Sequence, residues 1–194
     1  MDSDGLLDLL LEAATLKRLP RTGWVMRGVP HAESVAEHSF GTALTALALA
    51  DVLAGEGLDL DKVLLMALLH DLAEVRLTDL PLPAVRLITQ EVKSQAEAAA
   101  LAGLLAPLPT AGRLRALWQE FEEGTSPEGR LVRDADKLEM MVQCLRYERA
   151  GSRGLDEFWQ EMDRHRWHYG LSAELYARLR ARREVEGGHD HQPG

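Results

Sequence analysis

Cysteine is nearly absent: Cys144 is the only one in 194 residues. An internal disulfide and a paired-thiol zinc motif are therefore excluded, and a reducing compartment is compatible. Aromatic residues are sparse at 5%. Positive charge is also scarce, with 22 Lys and Arg against 31 Asp and Glu and a formal net charge of -9. That balance argues against a basic face holding a nucleic-acid polymer. An anionic substrate would need a local positive centre, such as a metal ion with a few arginines. No apolar run reaches the roughly 18 residues of a membrane span, and Met1-Asp2-Ser3-Asp4 is acidic where a secretion signal is basic. The expectation is a cytoplasmic protein with no membrane partner.

What is present is 46% hydrophobic and 27% charged residues, the balance of a globular chain. One domain over residues 1–186, with its core at about 6–180, and a disordered tail over 187–194 are expected. Neither internal repeats nor strand alternation occur, so a compact all-α domain follows, with a site between helices. Leu6, Leu9, Leu10 and Ala13 predict a first helix, mostly core, ending before Pro20. Residues 21–30 read as an ordered loop in which Trp24, Arg21 and Arg27 form a stacking and anion-binding surface, or else Trp24 fills the core. Phe40, Leu44 and Leu47 mark the buried stripe of a helix opened by His38. Asp59 or Asp61 caps the helix leading to His70, while Pro81 and Pro83 make a turn after it. Helices follow over 90–105, 111–123, from Pro127 with Ser126 as cap, over 155–169, and over 172–184 with Ser172 as cap.

Chemistry concentrates in Ala67-Leu68-Leu69-His70-Asp71-Leu72-Ala73-Glu74. On a helix over 61–76, His70 and Glu74 share a face at i and i+4, and Asp71 meets Glu74 at i+3. Imidazole with carboxylate suits a borderline divalent ion, and a free Glu can hold a water. The wider helix after Ser126 carries Leu131, Ala135, Leu138, Val142 and Leu145 as its core stripe, with Asp136 at its margin needing a cation or donor. His38, His70, Asp71 and Asp136 thus come from separate apolar helices and can converge on one ion. Asp79, before Leu80-Pro81, has a local turn role as its plain alternative. His165 and His168 read as packing or surface residues.

The order His38, His70-Asp71, Asp136 resembles the metal-binding signature of the HD-domain phosphohydrolases. Together with Leu16-Lys17-Arg18-Leu19-Pro20-Arg21-Thr22-Gly23-Trp24, Glu33-Ser34-Val35-Ala36-Glu37-His38 and Ala135-Asp136-Lys137-Leu138-Glu139, it is similar to the 5′-deoxynucleotidase (YfbR-like) group. That resemblance implies an all-α HD fold, a homodimer, one divalent ion (Mn, Co, Fe, Ni, Zn or Mg), and hydrolysis of deoxynucleoside 5′-monophosphates. It also implies that His38, His70, Asp71 and Asp136 hold the metal and that Glu74 and Asp79 are the catalytic carboxylates. Trp24 would favour deoxyribose. Gly23 stands where a relative has an arginine, leaving Arg21 or Arg27 for the phosphate. Cyclic nucleotides, (p)ppGpp and non-catalytic nucleotide sensing are the alternatives on the same scaffold.

Overall fold

In a computed structural model, residues 3–187 are described, and they form helices joined by short turns with no strand among them. The helices are α1 (Ser3–Ala13), α2 (Thr22–Val25), α3 (Val35–Val52), α4 (Leu60–Leu69), α5 (Glu74–Leu77), α6 (Leu82–Ile88), α7 (Gln90–Leu105), α8 (Ala111–Glu123), α9 (Pro127–Arg149), α10 (Asp156–Met162) and α11 (Gly170–Gly187). The all-α expectation holds. Of the tail expected over 187–194, Gly187 ends α11 and the rest lies outside the described residues.

The centre is α9 packed on α3 and α4, with α8 closing one side. Local signals explain where these helices begin. Ser126 accepts from Gly129 N at 3.1 Å while Pro127, whose missing donor costs nothing in a first turn, opens α9. Asp59 caps α4 by accepting from Asp61 N and Lys62 N. Ser34 and Glu37 form a reciprocal capping box on α3.

Several expected faces are differently disposed. α3 buries Val35, His38, Thr42, Ala46 and Leu49, whereas Phe40, Leu44 and Leu47 are 71%, 56% and 36% exposed. The stripes lie two residues apart, about 200° around the helix, so directing His38 inward sends Phe40 outward. In α9, Met141 takes the inward place expected of Val142. α1 is not core: none of its residues is buried, and Leu7, Leu10 and Leu11 are exposed. Pro81 and Pro83 do not prevent a helix but start one, as N-cap and within the first turn of α6. Helix α10 ends at Met162, and Ser172 lies inside α11 with its hydroxyl buried and unpartnered rather than capping it.

The segment between the first helices is an ordered loop, as expected, with one helical turn in it. An antiparallel bridge between Pro20 and Ser34 closes its base, with Arg21 N donating to Glu33 O and Val35 N to Leu19 O. The loop is thereby fixed against the start of α3, where His38 lies.

Candidate metal centre

α4 stops at Leu69, and residues 70–73 continue as a tighter turn in which Leu72 N bonds to Leu69 O and Glu74 N to Asp71 O. His70 and Glu74 are therefore not neighbours on one regular helix, as the spacing suggested. The tightening instead brings Asp71 Oδ2 to 3.2 Å from His70 Nε2. His38, from the first turn of α3, places its Nε2 3.3 Å from His70 Nε2 and 3.6 Å from Asp71 Oδ2. Asp136, near the middle of α9, places Oδ1 3.3 Å from the same His38 nitrogen. Three separate stretches of chain thus meet at one point.

Both imidazoles are held from behind. His70 Nδ1 lies 2.7 Å from the Ala67 carbonyl and His38 Nδ1 2.6 Å from Glu139 Oε2. Carbonyl and carboxylate oxygens only accept, so each Nδ1 carries the proton and each Nε2 is left to offer its lone pair inward. Two such nitrogens and two carboxylates, all acceptors and nearly all buried, repel one another unless positive charge lies among them. Their separations of 3.2 to 3.6 Å match ligands that each stand roughly 2.1 Å from a shared centre. The residues fit a divalent ion.

Titration behaviour has the same origin. Burial and Arg21 push His38 down, but Asp136 and Glu139 outweigh them and raise its pKa to about 9. Burial raises Asp71, yet His70, Arg21 and His38 pull it below the ordinary carboxylate range. Burial is likewise overcome at Asp136, by Lys137, His38 and His70. Metal would compete with protons here. Glu74 behaves oppositely: burial first, then Asp71 and Asp79, push its pKa up. Its Oε2 is buried without a hydrogen-bond partner.

Arg21 reaches the cluster, with Nη1 3.1 Å from Asp71 Oδ2. Asp79 does not make a merely local turn. Its Oδ2 accepts from Thr22 N at 2.5 Å and its carbonyl from Thr22 Oγ1 at 2.7 Å, fastening the loop beside Arg21. Thr78 precedes it at φ 65°, a left-handed setting uncommon for a β-branched residue. Arg27 turns away to Glu157 on α10. Trp24 is 2% exposed, packed on Tyr147 and Phe158, with its indole N–H bonded to Glu33 Oε1 at 2.9 Å. The exposed stacking surface expected of Trp24 and Arg27 is not formed.

Sequence reasoning missed Glu139 and Glu33, although both lie within motifs that carried the resemblance. Glu139 falls at i+3 from Asp136 on the same helical face, which was the available signal. Asp134, on the same helix as Asp136, is fully buried and accepts from His168 N, His168 Nδ1 and Tyr169 N. His168 therefore has the packing role expected of it.

The HD domain model matches residues 13–174. The zebrafish (Danio rerio) 5′-deoxynucleotidase HDDC2 is 34% identical over 75% of this chain and 70% of its own length. The mouse (Mus musculus) protein of that name is 38% identical over 74% and 70%. Among solved structures, a conserved hypothetical protein from Pyrococcus furiosus superposes with a TM-score of 0.77 at 38% identity, covering 90% of this chain and 99% of the other.

Proposed function

This chain belongs to the HD-domain family, and from that premise we propose that it is a metal-dependent phosphomonoesterase that hydrolyses deoxynucleoside 5′-monophosphates to deoxynucleoside and phosphate. The observation carrying this reading is the convergence of His38, His70, Asp71 and Asp136, whose acceptor atoms face one another and demand a cation. Two imidazoles with two carboxylates favour a borderline ion such as Mn, Fe, Co, Ni or Zn over the harder Mg. When bound, the ion supplies Lewis acidity towards a phosphoryl oxygen and lowers the pKa of water.

The chain's own groups supply the rest. Arg21, beside Asp71, neutralises charge building on the equatorial phosphoryl oxygens. Glu74, in the ionised form that a cation among the neighbouring ligands would favour against burial, accepts a proton from the attacking water as its oxygen bonds to phosphorus, and its buried, unbonded Oε2 is suited to that task. The phosphorus to 5′-oxygen bond breaks, and the leaving oxygen takes a proton. Asp79 is assigned to that donation, besides holding Thr22 and so Arg21. Trp24, buried against Tyr147 and Phe158, would act on sugar selectivity by fixing the loop that carries Arg21 rather than by touching the sugar.

No helix among the described residues is long and apolar enough to cross a membrane; a cytoplasmic setting is part of the proposal. A fraction showing the chain only in a secreted or membrane-bound pool would end that part. We also assign the outward stripe of Phe40, Leu44 and Leu47 to contact with a second copy.

The deciding experiment supplies metal-stripped protein separately with Mn, Co, Mg or Zn and measures phosphate released from matched deoxy and ribo 5′-monophosphates and 3′-monophosphates. Metal-dependent release from the deoxy 5′ esters, absent in His70→Ala, is expected. Equal release from every ester would discard the specificity. No release with any metal would discard the enzyme.

A further inference from the structure

His38 is the first of the proposed ligands along the chain, and its ring is fully buried. A ligand ring must be held about its χ2 axis as well as delivered by its helix. For His70 the backbone does this, since Ala67 O belongs to the preceding turn. No equivalent carbonyl serves His38. Its Nδ1 meets Glu139 Oε2 at 2.6 Å, a contact between α3 and α9 spanning 101 positions.

Room for that carboxylate comes from one residue. A Cβ added at Gly41 would lie 2.5 Å from Glu139 Oε1, 2.8 Å from its Cγ and 2.9 Å from its Cδ. Any side chain at 41 therefore displaces the whole Glu139 side chain and not merely its tip. Glycine costs a helix interior stability relative to alanine. Here the close approach of Glu139 accounts for it.

We propose that Glu139 is a positioning residue for the metal centre: it holds the His38 ring through Nδ1–H so that Nε2 is presented to the ion, and Gly41 is the clearance that admits it. The inference rests on the metal-dependent reading above. A carboxylate accepting from the remote nitrogen of a ligand histidine fixes its tautomer and raises its basicity, which strengthens metal binding.

Glu33 also approaches, its carboxylate lying with a His38 ring nitrogen and the Glu139 carboxylate within 4.8 Å of one another. These three do not make a second ion site. His38 would have to give up both ring protons and bridge two cations, and Glu33 Oε1 already accepts from the Trp24 indole. Glu33 completes the buried acidic wall behind the ring.

The test uses the full chain and reads zinc affinity by competition with a chromophoric chelator, zinc stoichiometry, and the His38 Nδ1–H resonance of the zinc-loaded protein. Glu139→Ala is expected to weaken zinc roughly 10- to 100-fold and to lose the hydrogen-bonded resonance. Glu139→Gln, whose amide oxygen can still accept, should recover most of the affinity. Gly41→Ala should weaken zinc while helix content is kept or raised, because alanine favours the helix. Unchanged affinity in both Glu139→Ala and Gly41→Ala would overturn the proposal, as would a wild-type resonance showing Nδ1 unprotonated. A second zinc lost in Glu139→Gln would overturn it in favour of a two-ion site. Should Glu139→Ala fail to fold, Gly41→Ala and the wild-type resonance decide. These readouts need no substrate, so they stand apart from the phosphate-release experiment.

Discussion

Arg21 Nη1 lies 3.1 Å from Asp71 Oδ2, the same oxygen that faces His70 Nε2 at 3.2 Å and His38 Nε2 at 3.6 Å. One carboxylate oxygen is thus shared between a guanidinium and the proposed metal position. Two positive groups beside one oxygen repel, so Arg21 is oriented for an anion by the very site that weakens its hold on Asp71. Arg21→Ala should therefore bind Mn at least as tightly as the wild type. It should still lose roughly 100-fold or more in kcat/KM, the scale of removing one positioned donor from a charge-building transition state. A parallel loss of metal affinity would place Arg21 in the structural support of Asp71 instead.

Glu74 is assigned to proton transfer and not to ligation. Glu74→Gln preserves shape and is expected to leave metal occupancy intact while lowering kcat about 100- to 10,000-fold, the range for losing a general base. Burial, Asp71 and Asp79 all favour its protonated form. Its contribution to folding is full below its unfolded pKa and fades as the pH rises. The neutral amide escapes that loss, so metal-free Glu74→Gln should be the more stable protein at alkaline pH. Wild-type turnover at full occupancy would remove Glu74 from the mechanism.

Phe40, Leu44 and Leu47 point to solvent on the helix that supplies His38, and Phe40 and Leu44 share a groove with Val142 of α9. If a second copy covers this face, wild-type protein sediments at twice 21.5 kDa, and Phe40→Glu with Leu44→Glu yields a helical monomer. Stable dimers bury about 1,200 Å² or more in total, so two charges placed at the centre should suffice. A wild-type monomer at micromolar concentration would leave the stripe without that role.

The starts of α4 and α9 were legible because caps and prolines act locally: Ser126, Pro127 and Asp59 work within one turn of their own positions, whereas Pro81 and Pro83, read as a turn, start α6, and Ser172, read as a cap, lies inside α11. Facing was not. α3 is apolar on both sides, so periodicity alone could not tell Phe40-Leu44-Leu47 from the stripe through His38, and the larger side chains misled. The convergence of His38, His70, Asp71 and Asp136 could be anticipated because they are ionisable groups set among apolar ones. Their supports could not. Glu139 on Nδ1 of His38 and Asp79 on Thr22 N are long-range contacts of ordinary acidic residues. Apart from the i+3 spacing of Glu139 from Asp136, nothing in the neighbouring sequence distinguishes such an acid from a solvated one. The choice between Arg21 and Arg27 likewise needed the loop to close through Pro20 and Ser34.

Glu33 supplies a pH dependence that can be isolated. Burial, then Glu139, raise its pKa from 4.5 to about 7, against the opposing hydrogen bond from Trp24. Because the folded carboxyl binds its proton more tightly than the unfolded one, the folded state holds more protons between these values, and stability falls as pH rises through them. The contribution is fully present below about pH 4.5 and lost above about pH 7, and at full development it amounts to roughly 3 kcal/mol. Glu33→Gln keeps an oxygen for the Trp24 indole but has no proton to lose. Denaturant unfolding of metal-free wild type and Glu33→Gln at intervals from pH 4 to pH 8 should give curves that diverge, the wild type losing ground by up to that amount. Gln143 and Tyr147 stay neutral across this range, and both proteins share the Glu74 titration, which cancels in the difference; His38 acts on Glu33 directly, so its titration is coupled to that of Glu33 and belongs to the measured divergence. Parallel curves would mean that Glu33 keeps an ordinary carboxylate affinity, and that the wall behind His38 is better solvated than its burial implies.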